Sequence, residues 1–305
     1  MLEVRDLTKR FRSATVVDRV SFTLRPGEIT GYLGPNGSGK STTVKMIVGL
    51  LHPSEGRVLF EGRDVREDPA AFKSRLGYVP EEPNLYSYLT GLEYLQLAGR
   101  LRGMEAAEVD RKANQLLESL ALAEARWAPI ASYSKGMRQR AKVAAALVHD
   151  PAVLVLDEPF NGMDPRQRLH MMALLRELAG RGRVILFSSH ILEEVERVAE
   201  RVLVVVAGRL AASGDFREIR RLMTDRPHSF TLRTSDDRAL ASRLAGRPTI
   251  SGLAFDGGRL DVRTTDFAAF TRELPVLARD AGVSIFELAP ADESLESVFD
   301  YLVRR

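Results

Sequence analysis

The sequence predicts an α/β fold followed by a small α+β domain, and three observations carry that prediction. Short apolar strands alternate with helical stretches as far as Gly214. One glycine-rich loop stands directly between such a strand and a helix. After Gly214 the pattern restarts in the order strand, helix, strand, strand, helix, strand.

At the N-terminus, "LEVRDL" and "VSFTLRPGEI" show the period-two alternation of half-buried strands, with Pro26-Gly27 as a turn. "EITGYLG" runs as a strand into the glycine-rich loop, and "KSTTVKMIVGLL" continues as a helix. Residues 90–148 read as mostly helical, with leucines and alanines three and four apart. "AVLVLDE" and "RVILFSSH" are continuous apolar runs, the pattern of strands buried on both faces of a parallel sheet. Between them "RQRLHMMALLRELAGRG" is a helix ending at glycine. "DRP", Asp225 to Pro227, reads as a linker, which places the domains at 1–224 and 225–305. Beyond it lie "SFTLRT", "DDRALASRLAG", "ISGLAF" and "RLDVRT" joined at "DGG", "DFAAFTRELPVLARDAG" and "VSIFEL". That order resembles a ferredoxin-like domain, with "ESLESVFDYLV" as an added helix.

Composition narrows the function classes. A chain of 305 residues with 45% hydrophobic and 28% charged residues has the make-up of a globular protein able to bury a large core. It has no cysteine, which excludes disulfides, thiolate metal sites and cysteine catalysis. The balance of 44 basic to 41 acidic residues, net +3, is too weak and too interspersed to argue for nucleic acid. "MLEVRDLTKR" has no apolar core of a signal peptide. Runs such as "VLVVVA", Val202 to Ala207, are far short of the roughly 20 residues that span a bilayer. A soluble chain is expected, so any membrane crossing belongs to another chain.

"GPNGSGKST", Gly34 to Thr42, matches G-x-x-x-x-G-K-[ST] in the required place after a strand and before a helix. Asn36, Gly37, Ser38, Gly39 and Thr42 belong to a backbone that can curl its N–H groups round phosphate oxygens. Lys40 can reach the β- and γ-phosphates, and the Ser41 hydroxyl can ligate Mg²⁺. "VLVLDEP" ends a buried strand in Asp157, a second Mg²⁺ ligand, and in Glu158, a carboxylate able to polarise an attacking water.

The order of these motifs resembles the nucleotide-binding subunit of an ATP-binding cassette (ABC) transporter. "YSKGMRQR" resembles that family's signature, usually a Leu-Ser-Gly-Gly-Gln run. Ser134, Lys135, Gly136 and Met137 stand at its positions, and the Lys-Gly-Met form resembles the ABC-2 type exporter branch. By itself the segment also reads as an N-capped amphipathic helix, Ser134 to Asp150, stopped by Pro151. The resemblance implies a P-loop NTPase cassette with a RecA-like core, an antiparallel β subdomain and a helical subdomain. It implies ATP and Mg²⁺ bound between two copies, or between this chain and a related cassette, set head to tail. It implies a polytopic membrane permease as partner, at the cytoplasmic face of the membrane. "NGMDP" resembles the D-loop, with Asp164 at the subunit interface. His190, in "SSHILEEVE", stands where the family's switch histidine meets the γ-phosphate and Glu158. Phe11 stands where an aromatic ring stacks on adenine, with Val17 as its neighbour. His52, His149, His170 and His228 fall in no motif and read as structural.

One departure matters. "GYVPEEPNLY" occupies the Q-loop, yet Glu81 replaces the usual Gln and adds negative charge beside the phosphates. Glu81 is expected to ligate Mg²⁺ or position water. The alternative is a cassette that acts on ribosomes or DNA, expected to carry two cassettes or a long coiled-coil insertion; neither is present.

Overall fold

The computed structural model describes all residues except 13, 83–84, 216–217, 220–226, 292–294, 297–298 and 300–305. Its contacts divide the chain after Gly214, earlier than the expected 224/225 boundary. Most of the expected "DRP" linker, and most of the helix expected over "ESLESVFDYLV", lie outside the described residues.

The first unit starts with β1 (Leu2–Phe11), β2 (Ala14–Leu24) and β3 (Ile29–Leu33), then α1 (Lys40–Ile47). It continues through β4 (Glu55–Phe60), β5 (Arg63–Asp64), α2 (Pro69–Ser74) and β6 (Leu76–Val79). A helical stretch follows: α3 (Gly91–Arg100), α4 (Ala106–Ser119) and α5 (Lys135–Leu147). Then come β7 (Val153–Asp157), α6 (Pro165–Gly180), β8 (Val184–Ser188), α7 (Leu192–Val198), β9 (Arg201–Val206) and β10 (Arg209–Gly214).

Two sheets result. The antiparallel one has the order β2-β1-β4-β5, and the other runs β10-β9-β3-β8-β7-β6. In the second, β9, β3, β8, β7 and β6 are parallel and only β10 turns back. β3, β7 and β8 are buried at every position, which is why they read as unbroken apolar runs. Leu7 and Val20 of the antiparallel sheet join Val44 and Ile47 of α1 and Val155 and Leu186 of the parallel sheet in one core. Because β3, β7 and β8 are parallel neighbours, the loops leaving their C-terminal ends emerge side by side, where ligands sit in open α/β sheets.

The helical stretch is held by local chemistry. Thr90 and Glu93 form a capping box at the start of α3: the Glu93 N–H donates to the Thr90 hydroxyl (3.2 Å), and the Thr90 N–H to the Glu93 carboxylate (2.8 Å). Among the described residues no helix is long and apolar enough to cross a membrane.

The second unit contains β11 (His228–Thr234), α8 (Asp237–Leu244), β12 (Ile250–Asp256), β13 (Arg259–Thr264), α9 (Phe267–Asp280) and β14 (Ile285–Pro290). Its strand order, β12-β13-β11-β14, is antiparallel throughout and is that of a ferredoxin-like sheet. Both helices are N-capped by aspartates, Asp236 and Asp266. Phe230, Leu240, Leu260 and Phe270 form its own core.

Of the four histidines read as structural, His149 carries a prediction. Its Nε2 lies 3.0 Å from the Leu76 carbonyl. Burial first, and the Arg102 charge second, push it down to about 4. The unfolded chain takes up this proton near pH 6.5, about where free histidine titrates, and the fold does so only near 4. Stability is therefore lost as pH falls from about 6.5 to about 4. Urea midpoints measured at steps across that window should fall less steeply in His149→Gln than in wild type. Superimposable profiles would refute the assignment.

Candidate functional site

The loop between β3 and α1 builds one wall of a cleft of about 370 Å³. Asn36, Gly37, Gly39, Lys40, Ser41 and Thr42 line it. Gly39 is required by close approach: a Cβ there would lie 2.7 Å from the Val16 carbonyl of β2. Ser38, within the loop, is buried and does not line the cleft; the Gly208 N–H donates to its carbonyl (3.1 Å). Lys40 Nζ donates to the carbonyls of Gly34 (2.6 Å) and Pro35 (3.1 Å), folding its stem back across the loop.

The opposite wall is acidic, formed by Glu81, Asp157 and Glu158, with His190 at its rim. Burial lowers the Lys40 ammonium from its ordinary value, and the charges of Glu158, Asp157 and Glu81 work against that. Asp157 ends β7 and accepts a short hydrogen bond from the Ser188 hydroxyl. The two are register partners across β7 and β8, so the ladder sets the carboxylate's position. Glu158 takes a left-handed conformation, φ 52°, unusual for a residue with a side chain. Its N–H donates to the Ser188 carbonyl (3.2 Å), and its own carbonyl accepts from the Gln139 amide (3.1 Å). Its carboxylate meets His190 Nδ1 at 2.9 Å. Burial raises the Glu158 carboxyl above the usual range, and the His190 hydrogen bond opposes the rise.

Ser134 to Met137 do not line this cleft. Ser134 caps α5, its hydroxyl accepting from the Met137 N–H at 3.2 Å. Tyr133 is buried; its hydroxyl donates to the Ala125 carbonyl (2.8 Å) and lies against Gly91. The exposed Lys135 packs its aliphatic stem against Gly162. Gly136 is buried where a Cβ would stand 2.8 Å from both the Gly162 carbonyl and Gln167 Oε1. The helix start and the "NGMDP" turn are therefore packed together. Asp164 is exposed and caps α6, accepting from the Gln167 N–H at 2.8 Å; it does not line the cleft either.

The adenine-side expectation needs correction at Val17. Val17 is fully buried in the core beneath the loop, and it is Val16 that lines the cleft. On a strand adjacent residues face opposite sides, so a one-residue error exchanges wall for core. Phe11 is 46% exposed, with the Lys9 ammonium 5.1 Å from its ring centroid, and is not part of the cleft wall.

Three supporting residues lay beyond the sequence reading. Ser188 holds Asp157, and Gln139 holds the Glu158 backbone. Lys142 is 6% exposed and donates to the carbonyls of Pro80 (2.7 Å) and Glu81 (3.2 Å). Gln139 and Lys142 belong to α5, whose sequence signal is read as the family signature at Ser134–Met137 and otherwise as a capped amphipathic helix.

The family model described as ABC transporter matches residues 17–161. The uncharacterized ABC transporter ATP-binding protein YxlF of Bacillus subtilis is 32% identical over 299 residues, 98% of each chain. The chain belongs to the ABC transporter ATP-binding family. It is thus a nucleotide-binding cassette of a family that hydrolyses ATP. The cassette is 42% identical over 213 residues, 70% of each chain, to the Nod factor export ATP-binding protein I of Burkholderia lata. It matches a solved ATP-binding subunit of an ABC transporter with a TM-score of 0.68 and 35% identity, over 72% of this chain and 92% of that one. It shares the fold of a dimeric bacterial ABC transporter cassette, with a TM-score of 0.66 at 24% identity, over 70% of this chain and 98% of that one.

Proposed function

We propose that this cassette powers export. Two copies, or one copy and a related cassette, hold ATP–Mg²⁺ head to tail between the Gly34–Thr42 loop of one and Ser134–Met137 of the other. A polytopic permease holds the pair at the cytoplasmic face of the membrane and carries the substrate. The observation that carries this reading is a separation. The phosphate loop, the acidic wall and His190 share one cleft, while the capped start of α5 lies outside it, with Ser134 and Lys135 exposed. An exposed helix N-terminus with no role in its own cleft suits an anion presented by another chain. Kinship with a Nod factor export protein supports the direction, and the dimeric cassette supports the pairing.

The cleft fits magnesium chemically. Ser41 and Asp157 offer oxygen donors from facing walls. Among the described residues no three carboxylates or imidazoles form a protein-only cage. Magnesium bound to a nucleotide needs no such cage, because phosphate oxygens and waters complete its shell. When bound, the ion would be held by Ser41 and Asp157 and would supply positive charge against that developing on the phosphates. In this reading Lys40 grips the phosphates, Glu158 orients and polarises the attacking water, and His190 fixes the Glu158 carboxylate. Catalysis then comes from positioning and charge, and ATP binding drives closure.

A mixed dimer tests the shared site. One chain carries Lys40→Ala and loses its phosphate grip. The other carries Ser134→Asp, which keeps a good cap but sets a carboxylate where an anion docks. Gly136 is the poorer choice, because a side chain there meets the Gly162 carbonyl. Each homodimer should fail to trap ATP. In a purified, doubly tagged heterodimer, one site inherits both defects and the other is whole, so one nucleotide per dimer is recovered. If each chain completed its own site, both sites would carry a defect and mixing would recover nothing.

A further inference from the structure

The acidic wall of the cleft holds three carboxylates, and Glu81 makes it one more acidic than the two-carboxylate end of β7. A negative triphosphate must approach that wall, so something must offset the extra charge. One cation the mechanism does not use lies against this wall, Lys142. It is 6% exposed, and its two hydrogen bonds go to neutral carbonyls, those of Pro80 and Glu81. Burying an ammonium without a carboxylate in direct contact is costly, so its position calls for a reason. Burial lowers the Lys142 ammonium to about 8; the charges of Asp157 and Glu81 oppose that, and Lys135 on its own helix adds to it. Gln139, one turn back on α5, holds the Glu158 carbonyl, so the same helix grips both acidic segments of the cleft.

We propose that Lys142 is a positioning residue for the ATP site. From beneath the loop its charge draws the Glu81 carboxylate back from the triphosphate, and its bonds tie that loop to α5. The proposal rests on the cleft being the ATP site. Glu81 and Lys142 then form one unit: the carboxylate is tolerable beside the phosphates because the buried ammonium lies behind it. Without the charge, the Glu81 carboxylate on the cleft wall repels the nucleotide unopposed.

The test is a double-mutant comparison of ATP affinity in the full chain, read with a fluorescent ATP analogue and Mg²⁺ at low ionic strength. Lys142→Gln keeps amide donors for the two carbonyls and removes the charge. It should weaken ATP binding about tenfold when Glu81 is present, and less than about twofold in a Glu81→Gln background. The first loss should shrink as salt is raised. A residue that merely props the loop would cost the same in both backgrounds and respond little to salt; that result, or no loss in either, overturns the proposal. Lys142→Arg, which keeps the charge, should bind ATP more tightly than Lys142→Gln; if Lys142→Gln does not fold, Lys142→Arg binding as weakly as Lys40→Ala overturns the proposal. Lys40→Ala runs alongside as control. If Lys40→Ala keeps its affinity, the cleft assignment falls and takes this proposal with it; if it loses affinity and the Lys142→Gln costs are equal, only this proposal falls.

Discussion

Glu158→Gln should lower ATP turnover by about a hundredfold or more while leaving ATP binding intact. The Gln side chain has nearly the same shape and can still meet His190 Nδ1, now 2.9 Å from the carboxylate. What it loses is the ability to attract a proton from water. The Glu158 environment makes that loss telling, because burial already raises its carboxyl and so favours accepting a proton. The backbone should not move. Its left-handed turn is fixed by the N–H bond to Ser188 and the carbonyl bond from Gln139, neither of which uses the side chain. With hydrolysis blocked and binding preserved, ATP should hold the protein as a dimer on size-exclusion chromatography. Phosphate release at the wild-type rate would remove Glu158 from the mechanism.

Gly56→Ala should be the most damaging small change in the antiparallel sheet. Gly56 lies in β4, where the pairing with β1 slips between Arg5 and Thr8. Asp6, inside that slip, has φ 49°, and Gly56 has φ 81°. A Cβ on Gly56 would lie 2.3 Å from the Asp6 carbonyl oxygen and 2.5 Å from that of Arg5. Both are backbone atoms, so neither can swing away. Left-handed strain of about 1 kcal/mol adds to an overpacking cost of about 1–3 kcal/mol, for a total loss of about 3 kcal/mol. Gly62 provides the control. Its φ is 83°, yet nothing lies within 4 Å of its Cβ position. Gly62→Ala should therefore cost only the strain, about 1 kcal/mol. Urea unfolding of the two variants separates backbone collision from conformational strain; equal losses would show that the collision is relieved.

The sequence made legible what is local. Gly34–Thr42 declares itself because its whole motif lies in consecutive residues between one strand and one helix. Asp157 and Glu158 do so because a doubly buried strand leaves only its end for charge. Among the described residues of the second unit, the four strands and two helices were readable because each is bounded by turn residues. What stayed hidden depends on partners distant in sequence. Ser188 matters only through its pairing with Asp157, and Lys142 only through a loop some 60 residues earlier. Val17 was one position out because strand bulges in β1 and its pairing with β2 decide which valine faces the loop. A resemblance carried residue by residue does not fix that register.

The pairing of Asp157 with Ser188 has a consequence for how such a site tolerates change. Parallel strands act as a ruler: β3, β7 and β8 present their ends at heights fixed by hydrogen bonds spaced along the ladder, far from the nucleotide. A slip of one residue in β7 would turn Asp157 to the other face of the sheet and carry its neighbour with it. Accuracy at the cleft is therefore manufactured in the apolar interior, by residues such as Val155 and Leu186 that never touch a phosphate. Variation can accumulate in the surrounding loops and at the start of α5, as Tyr133, Lys135 and Glu81 illustrate, because the measuring device lies in the sheet.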